Sequence, residues 1–214
     1  RCINKLMTGQ PNNEVAQPRV FFGWWIVLAA STVTAVSATF GYYGFGIFFN
    51  PIREHFGWSA AVLGGALSLS RLEGGALAPV IGYLVDRIGP RKLMLIGVVA
   101  SGAGYILLSQ TTSLVYFYIV FLTLVHGGAS AGMGNPPRVA VANWFQRKRG
   151  TALGLVTLGL SIGGLFAKPL ADFITSFGWR NALIVAGLLI WAVGIPASLV
   201  MRQRPEQYGY LPDG

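Results

Sequence analysis

The chain has 214 residues, of which 53% are hydrophobic and only 11% charged, with a mean hydropathy of +0.57 and a net charge of +9. A soluble domain carries about 25% charged residues, so a surface this poor in charge would not stay dissolved and lipid is the expected solvent. The Lys and Arg residues fall in short clusters between apolar runs, with no basic stripe interleaved with aromatics, which excludes nucleic acid as the partner; a single cysteine, Cys2, excludes an intrachain disulfide.

Residues 1–21 form a polar tail before the first apolar run. Met7 reads as a start with residues 1–6 upstream of it, and a truncated N-terminus fits as well. The first apolar run is too long for a cleavable signal segment. A spanning helix needs roughly 20 apolar residues, and six candidates follow in order: 22–49, 60–85, 93–108, 114–135, 151–173 and 182–200. They give an all-α membrane bundle over 22–201, and 202–214 reads as a loop. The linkers after the first and fifth helices both carry Phe-Gly-Trp, at Phe56-Gly57-Trp58 and Phe177-Gly178-Trp179, and each Trp is expected at a lipid–water interface.

Cationic residues orient the bundle. With the N-terminus cytoplasmic, the inner segments hold Arg1, Lys5, Arg19, Arg87, Arg91, Lys92, Arg147, Lys148, Arg149, Arg202 and Arg204. The outer loops hold only Arg53 and Arg180. Both ends are therefore expected inside, which an odd number of helices would not allow.

The link between the second and third helices is Gly82-Tyr-Leu-Val-Asp86-Arg87-Ile-Gly89-Pro-Arg91-Lys92. A helix ends at an acid, a tight turn follows at Gly89-Pro90, and a basic pair opens the next helix. Two readings stand on spacing alone: Asp86 accepts hydrogen bonds from a helix N-terminus or pairs with a cation, or the hairpin is simply hydrated.

This stretch resembles the signature Gly-x-Leu-x-Asp-Arg-x-Gly-x-Arg-Lys/Arg of the major facilitator superfamily. The likeness extends to Gly44-Phe-Gly-Ile-Phe-Phe-Asn-Pro-Ile52, to Asn143-Trp-Phe-Gln-Arg-Lys-Arg-Gly-Thr-Ala-Leu-Gly154 and to Arg204-Pro-Glu-Gln-Tyr-Gly209. These are similar to segments of the monocarboxylate-porter and oxalate:formate-antiporter branches. The resemblance implies the N-terminal six-helix half, itself a 3+3 repeat, of a twelve-helix transporter. It implies a gating role for Asp86, Arg87 and Arg91, through contacts with the other half. It also implies a small organic anion, monocarboxylate-like, as substrate. The chain departs from the family at the basic residue of the fourth helix, where it reads Thr123-Leu-Val-His126, and in the antiporter motif of the fifth, where Gly164 replaces a Pro.

An ionisable group at the bilayer centre costs roughly 3 kcal/mol on insertion scales and so faces a cavity or a partner. Arg71 lies near mid-membrane, where its guanidinium either binds a substrate carboxylate or pairs with another helix. Glu73, two positions on, points away from Arg71. It is either a proton-carrying carboxyl or a partner of Lys168, Arg138 or the missing half. His126, mid-helix, is either a titrating group or a hydrogen-bonded core residue. Arg138 either closes a cytoplasmic gate, with Arg147 and Arg149, or sits at the lipid headgroups. Lys168 and Asp172, at i,i+4, are expected to pair near the outer interface. The spacings Gly128-x-x-x-Gly132, Gly150-x-x-x-Gly154 and Gly159-x-x-x-Gly163 are expected at close helix crossings.

The expected activity is secondary transport by alternating access in the plasma (inner) membrane, by proton symport or by exchange. Partners are the substrate, protons, lipid, and a second six-helix half or a second copy. No cofactor or metal is expected. Transport of another metabolite or a drug-like molecule is the alternative, and a six-helix scaffold the third reading. An enzyme is not: no His-Glu-x-x-His, Gly-x-Ser-x-Gly or phosphate-binding loop occurs.

Overall fold

The computed structural model describes residues 21–202. The N-terminal tail up to residue 20 and the loop from residue 203 on, with Cys2, Met7 and Arg204, lie outside the described residues. Six long helices follow one another: α1 (Gly23–Phe56), α2 (Ala60–Ile88), α3 (Pro90–Leu108), α4 (Leu114–Trp144), α5 (Arg149–Phe177) and α6 (Trp179–Val200). No strand occurs among the described residues. Five of them, all but α2, are long and apolar enough to cross a membrane. α2 has the length, 29 residues, but carries Arg71, Glu73, Asp86 and Arg87.

The helices outrun the apolar runs that announced them. α1 continues through Pro51 to Phe56, and α4 through Pro136 and Pro137 to Trp144. The two prolines of α4 fall in the first turn of its last α-helical stretch, directly after a π-helical one, where their missing N–H groups cost least. Side-chain caps start two of the helices. Ser59 accepts from the Val62 N–H at 3.4 Å and Ser113 from the Tyr116 N–H at 3.3 Å.

The two Phe-Gly-Trp tripeptides fold differently. Gly57 ends α1 in the left-handed region, at φ 67° and ψ 22°, and Trp58-Ser59 lead on to α2. Gly178 is a one-residue corner at φ 81° and ψ 154°, and Trp179 already opens α6. Gly89 makes the same corner between α2 and α3, at φ 84° and ψ 153°. Trp179, expected at the lipid boundary, is buried and packs on His55 and Phe56.

Large apolar side chains point outward all round the bundle, Leu72, Val115 and Leu165 being 71%, 68% and 74% exposed. A helix apolar on every side belongs to a core or a membrane span, and here the outward ring is what lipid would cover. Inside, α3 lies against α4 and α6, and α1 against α5. Glycines set both seams. A Cβ at Gly97 would strike the backbone of Gly132, and one at Gly128 would meet the Ser101 N–H at 2.7 Å. A Cβ at Gly159 or Gly163 would run into the carbonyls of Ser31 or Ala35. Hydroxyls stitch the second seam: Ser31 donates to the Leu155 carbonyl at 3.2 Å and Thr39 to that of Gly163 at 3.1 Å. The third expected pair differs, since Gly150 and Gly154 have nothing within 4 Å of a built Cβ. They sit on the exposed face of α5, turned away from the seam.

Candidate functional site: a cationic cavity

Between α1, α2 and α4 lies a cavity of about 470 Å³, a volume that suits a small organic molecule. Its walls depend on three π-helical stretches: 38–43 in α1, and 121–126 and 130–134 in α4. A π turn adds a residue to the helical circuit and shifts the side chains that follow, which is why such turns gather at functional sites. Here each of the three contributes to the lining, through Phe40 and Tyr42, Phe121 and His126, and Ser130 and Met133.

The lining is aromatic and aliphatic apart from a few polar groups. Two guanidiniums, Arg71 from α2 and Arg138 from α4, border the cavity, and among the described residues no carboxylate lines it. Arg71, Arg138 and Tyr42 are exposed, so the cavity opens on one side of the bundle. Arg138, read from sequence as a group of the inner end, thus shares a space with Arg71. A cavity bordered by two cations favours an anion by Coulomb attraction and by hydrogen bonding.

Glu73 turns away from Arg71, as its spacing required. Its partner is His126 of α4, with Nδ1 and Oε2 3.8 Å apart. The expected partners of Glu73 are elsewhere. Lys168 pairs with Asp172 at 3.2 Å on an exposed face of α5, and Arg138 points to the cavity. The Glu73–His126 contact depends on how α2 and α4 are rotated against each other, which no single-helix pattern encodes. One signal was available, because each residue is followed by a glycine, Gly74 and Gly127.

The Asp86–Lys92 corner stands apart from the cavity. Asp86, Arg91 and Lys92 are exposed, and Asp86 makes no ion pair among the described residues. Arg87 donates to the Tyr83 hydroxyl at 2.9 Å. Gly82 is exposed with nothing within 4 Å of a built Cβ, so the face it occupies is open. Arg147 and Arg149 sit exposed at the α4–α5 junction. At the opposite end Arg180, from the first turn of α6, donates to the carbonyls of Ser109 and Thr111 (3.2 Å for the latter) and so caps α3.

The sequence profile of the Major Facilitator Superfamily matches residues 31–212. The chain is 24% identical over 182 residues to an uncharacterized MFS-type transporter, YcxA, of Bacillus subtilis, covering 85% of the chain and 45% of the relative. It is 27% identical over 177 residues to human monocarboxylate transporter 14, covering 79% and 34%. It is 29% identical over 207 residues to the oxalate:formate antiporter of Oxalobacter formigenes, covering 96% and 47%. The chain thus spans less than half the length of each of these relatives. With its match over most of its length and its apolar helices, this chain is an integral membrane protein that belongs to the major facilitator superfamily.

Proposed function

We propose that the chain is the N-terminal half of a secondary transporter that moves a small organic anion by alternating access, its cavity forming one side of a central site. The observation that carries this is the pairing of Arg71 and Arg138 around a space without a carboxylate in its lining. The names of two relatives, a monocarboxylate transporter and an oxalate:formate antiporter, support the same substrate class. On this reading a second six-helix half, or a second copy, covers the open side of the cavity.

α2 is the sixth span in this proposal. Its charges do not bar it, since Arg71 and Glu73 face the cavity and His126 rather than the outer ring, and Asp86 and Arg87 lie in its last turn. A 3+3 repeat is supported by three helix boundaries displaced by 89 positions, Ala60 to Arg149, Ile88 to Phe177 and Pro90 to Trp179, with the other three displaced by 88 to 92. The like corners at Gly89 and Gly178 support it too, falling at matching points of the two triplets. Both ends of the bundle then face the cytoplasm across the plasma (inner) membrane. Asp86, Arg87, Arg91 and Lys92 on their exposed corner gate the cavity by meeting the other half, with Arg147 and Arg149 near the same surface.

The test is counterflow in proteoliposomes with labelled lactate, pyruvate, formate and oxalate. At least one anion is expected to exchange, and Arg71→Ala should lower its uptake by about tenfold or more while membrane insertion persists. Normal uptake by that variant would remove Arg71 from the site. A drug-like or other uncharged substrate is the second reading, favoured by the phenylalanines of the lining, among them Phe45, Phe49 and Phe117. Exchange of such a molecule, with none of the four anions moving, would select it.

A further inference from the structure

We propose that Glu73 and His126 form one proton-binding site in the cavity wall, holding a single proton between carboxylate and imidazole, and that this proton raises the cavity's affinity for an anion. The inference rests on the anion-transport reading above and supplies its coupling ion and the residues that carry it.

Geometry comes first. Oε2 of Glu73 and Nδ1 of His126 face each other 3.8 Å apart across the α2–α4 contact. Both atoms are buried, and neither has a hydrogen-bond partner among the described residues. Buried polar atoms without partners are uncommon and call for an explanation. A proton between these two would give each a partner at once. The surroundings are shaped for the imidazole. A Cβ at Gly74 would lie 3.2 Å from Cε1 of His126, tighter than an ordinary contact, whereas one at Gly127 would lie 3.4 Å from Oε1 of Glu73, in ordinary van der Waals contact. Gly74 thus leaves room for the imidazole.

Charge then links the pair to the cavity. His126 lines it, and Glu73 stands behind His126. The other charged or titratable groups of the lining are Arg71 on α2, Arg138 on α4, Tyr42 on α1 and Tyr105 on α3. α5 and α6 offer only Leu160 and Leu183. With the pair unprotonated, two guanidiniums and one carboxylate leave one net positive charge around the cavity. A proton on the pair makes it two. An anion therefore binds better to the protonated protein, and by reciprocity the bound anion holds the proton more tightly. The proton enters from the water on the side to which the cavity opens, resides on Nδ1 or Oε2, and leaves to water on the other side. No other bond changes.

The experiment uses the full-length protein in proteoliposomes with a pH dye in the lumen. Labelled lactate, formate and oxalate are the probes, and protein-free vesicles correct for leakage. Transport of the responsive anion should be about tenfold faster at about pH 6 than at about pH 8 and should acidify the lumen. In Glu73→Gln, which offers no acid to share, that ratio should fall to about one and the acidification should vanish. Gly74→Ala keeps both groups but crowds the imidazole, and it should flatten the profile as well. Infrared difference spectra between the two pH values read the site without any substrate, and the wild-type carboxyl–imidazole signal should be lost in Glu73→Gln. A Glu73→Gln protein that keeps the wild-type pH ratio, or the wild-type infrared signal, overturns the proposal. So does a wild type that moves an anion equally well at both pH values. An infrared signal that depends on Glu73, with no anion moving at all, keeps the proton site and defeats the transport reading instead.

Discussion

The seams on which α3 meets α4 and α1 meets α5, and the cavity wall shared by α1, α2 and α4, solve opposite problems with the same apolar alphabet. Along the seams glycines stand at the points where the helices cross most closely. Gly97, Gly128 and Gly132 bring α3 and α4 backbone to backbone, and Gly159 and Gly163 do so for α5 against α1. Along the cavity wall π turns displace side chains and leave a gap, and the guanidiniums of Arg71 and Arg138 collect there with the imidazole of His126. Hydrocarbon offers no hydrophobic drive to bring helices together, so close packing must hold the bundle. The chemistry can then occupy the places where packing is left incomplete. α4 serves both purposes, with Gly128 and Gly132 on the seam and His126 and Ser130 at the cavity.

Substitutions that treat the two regions alike should expose the difference. The largest effect is expected at the α3–α4 seam. Gly132→Leu forces a side chain into the backbone of Gly97 and Val98, and overpacking without room to relax should cost more than about 3 kcal/mol. Size-exclusion chromatography in detergent should show aggregate in place of a monodisperse peak, and a normal peak would mean that the seam is not tight. A smaller loss is expected at the end of α3. Arg180→Ala strips the guanidinium from the carbonyls of Ser109 and Thr111, and a partly buried charged hydrogen bond of this kind is worth about 1–3 kcal/mol. The thermal midpoint should fall while counterflow below it persists. An unchanged midpoint would show that water replaces the cap without loss. The smallest effect should follow Gly154→Ala, on the exposed face of α5, where a Cβ meets nothing within 4 Å. Replacing an exposed helical glycine should leave the fold intact and stabilise it by at most about 1 kcal/mol. A marked loss there would reveal a contact surface on that side of α5.

Much of the bundle was legible in the sequence, because lipid imposes one simple demand, a run of apolar residues long enough to cross it. The order of the helices follows from that demand, and so do five of them, whereas α2, with Arg71, Glu73, Asp86 and Arg87, falls short of it. The helix ends do not follow from it, since helical hydrogen bonding carries α1 and α4 past Pro51 and Pro136-Pro137 into less apolar stretches. The Lys168–Asp172 pair was legible because i,i+4 spacing alone brings the two groups together. The Glu73–His126 contact and the arrival of Arg138 at the cavity were not. Both depend on the rotation of α2 and α4 about their axes, and the π turns that set the phase of α4 leave no mark that a periodicity of 3.6 would reveal. The two Phe-Gly-Trp tripeptides make the same point on a small scale. Identical local sequence turns through different angles because α6 begins at Trp179, whereas Ser59 begins the capping of α2.

One contact ties the beginning of the bundle to its end. The Arg202 guanidinium lies 4.0 Å from the ring centre of Phe22, and the Arg202 carbonyl accepts from the Trp144 indole N–H at 3.1 Å. Entry into the first helix and departure from the last therefore share a corner. A substitution at Phe22 or at Arg202 therefore loosens the first and the last rod together, so that neither edge of the bundle can be altered alone.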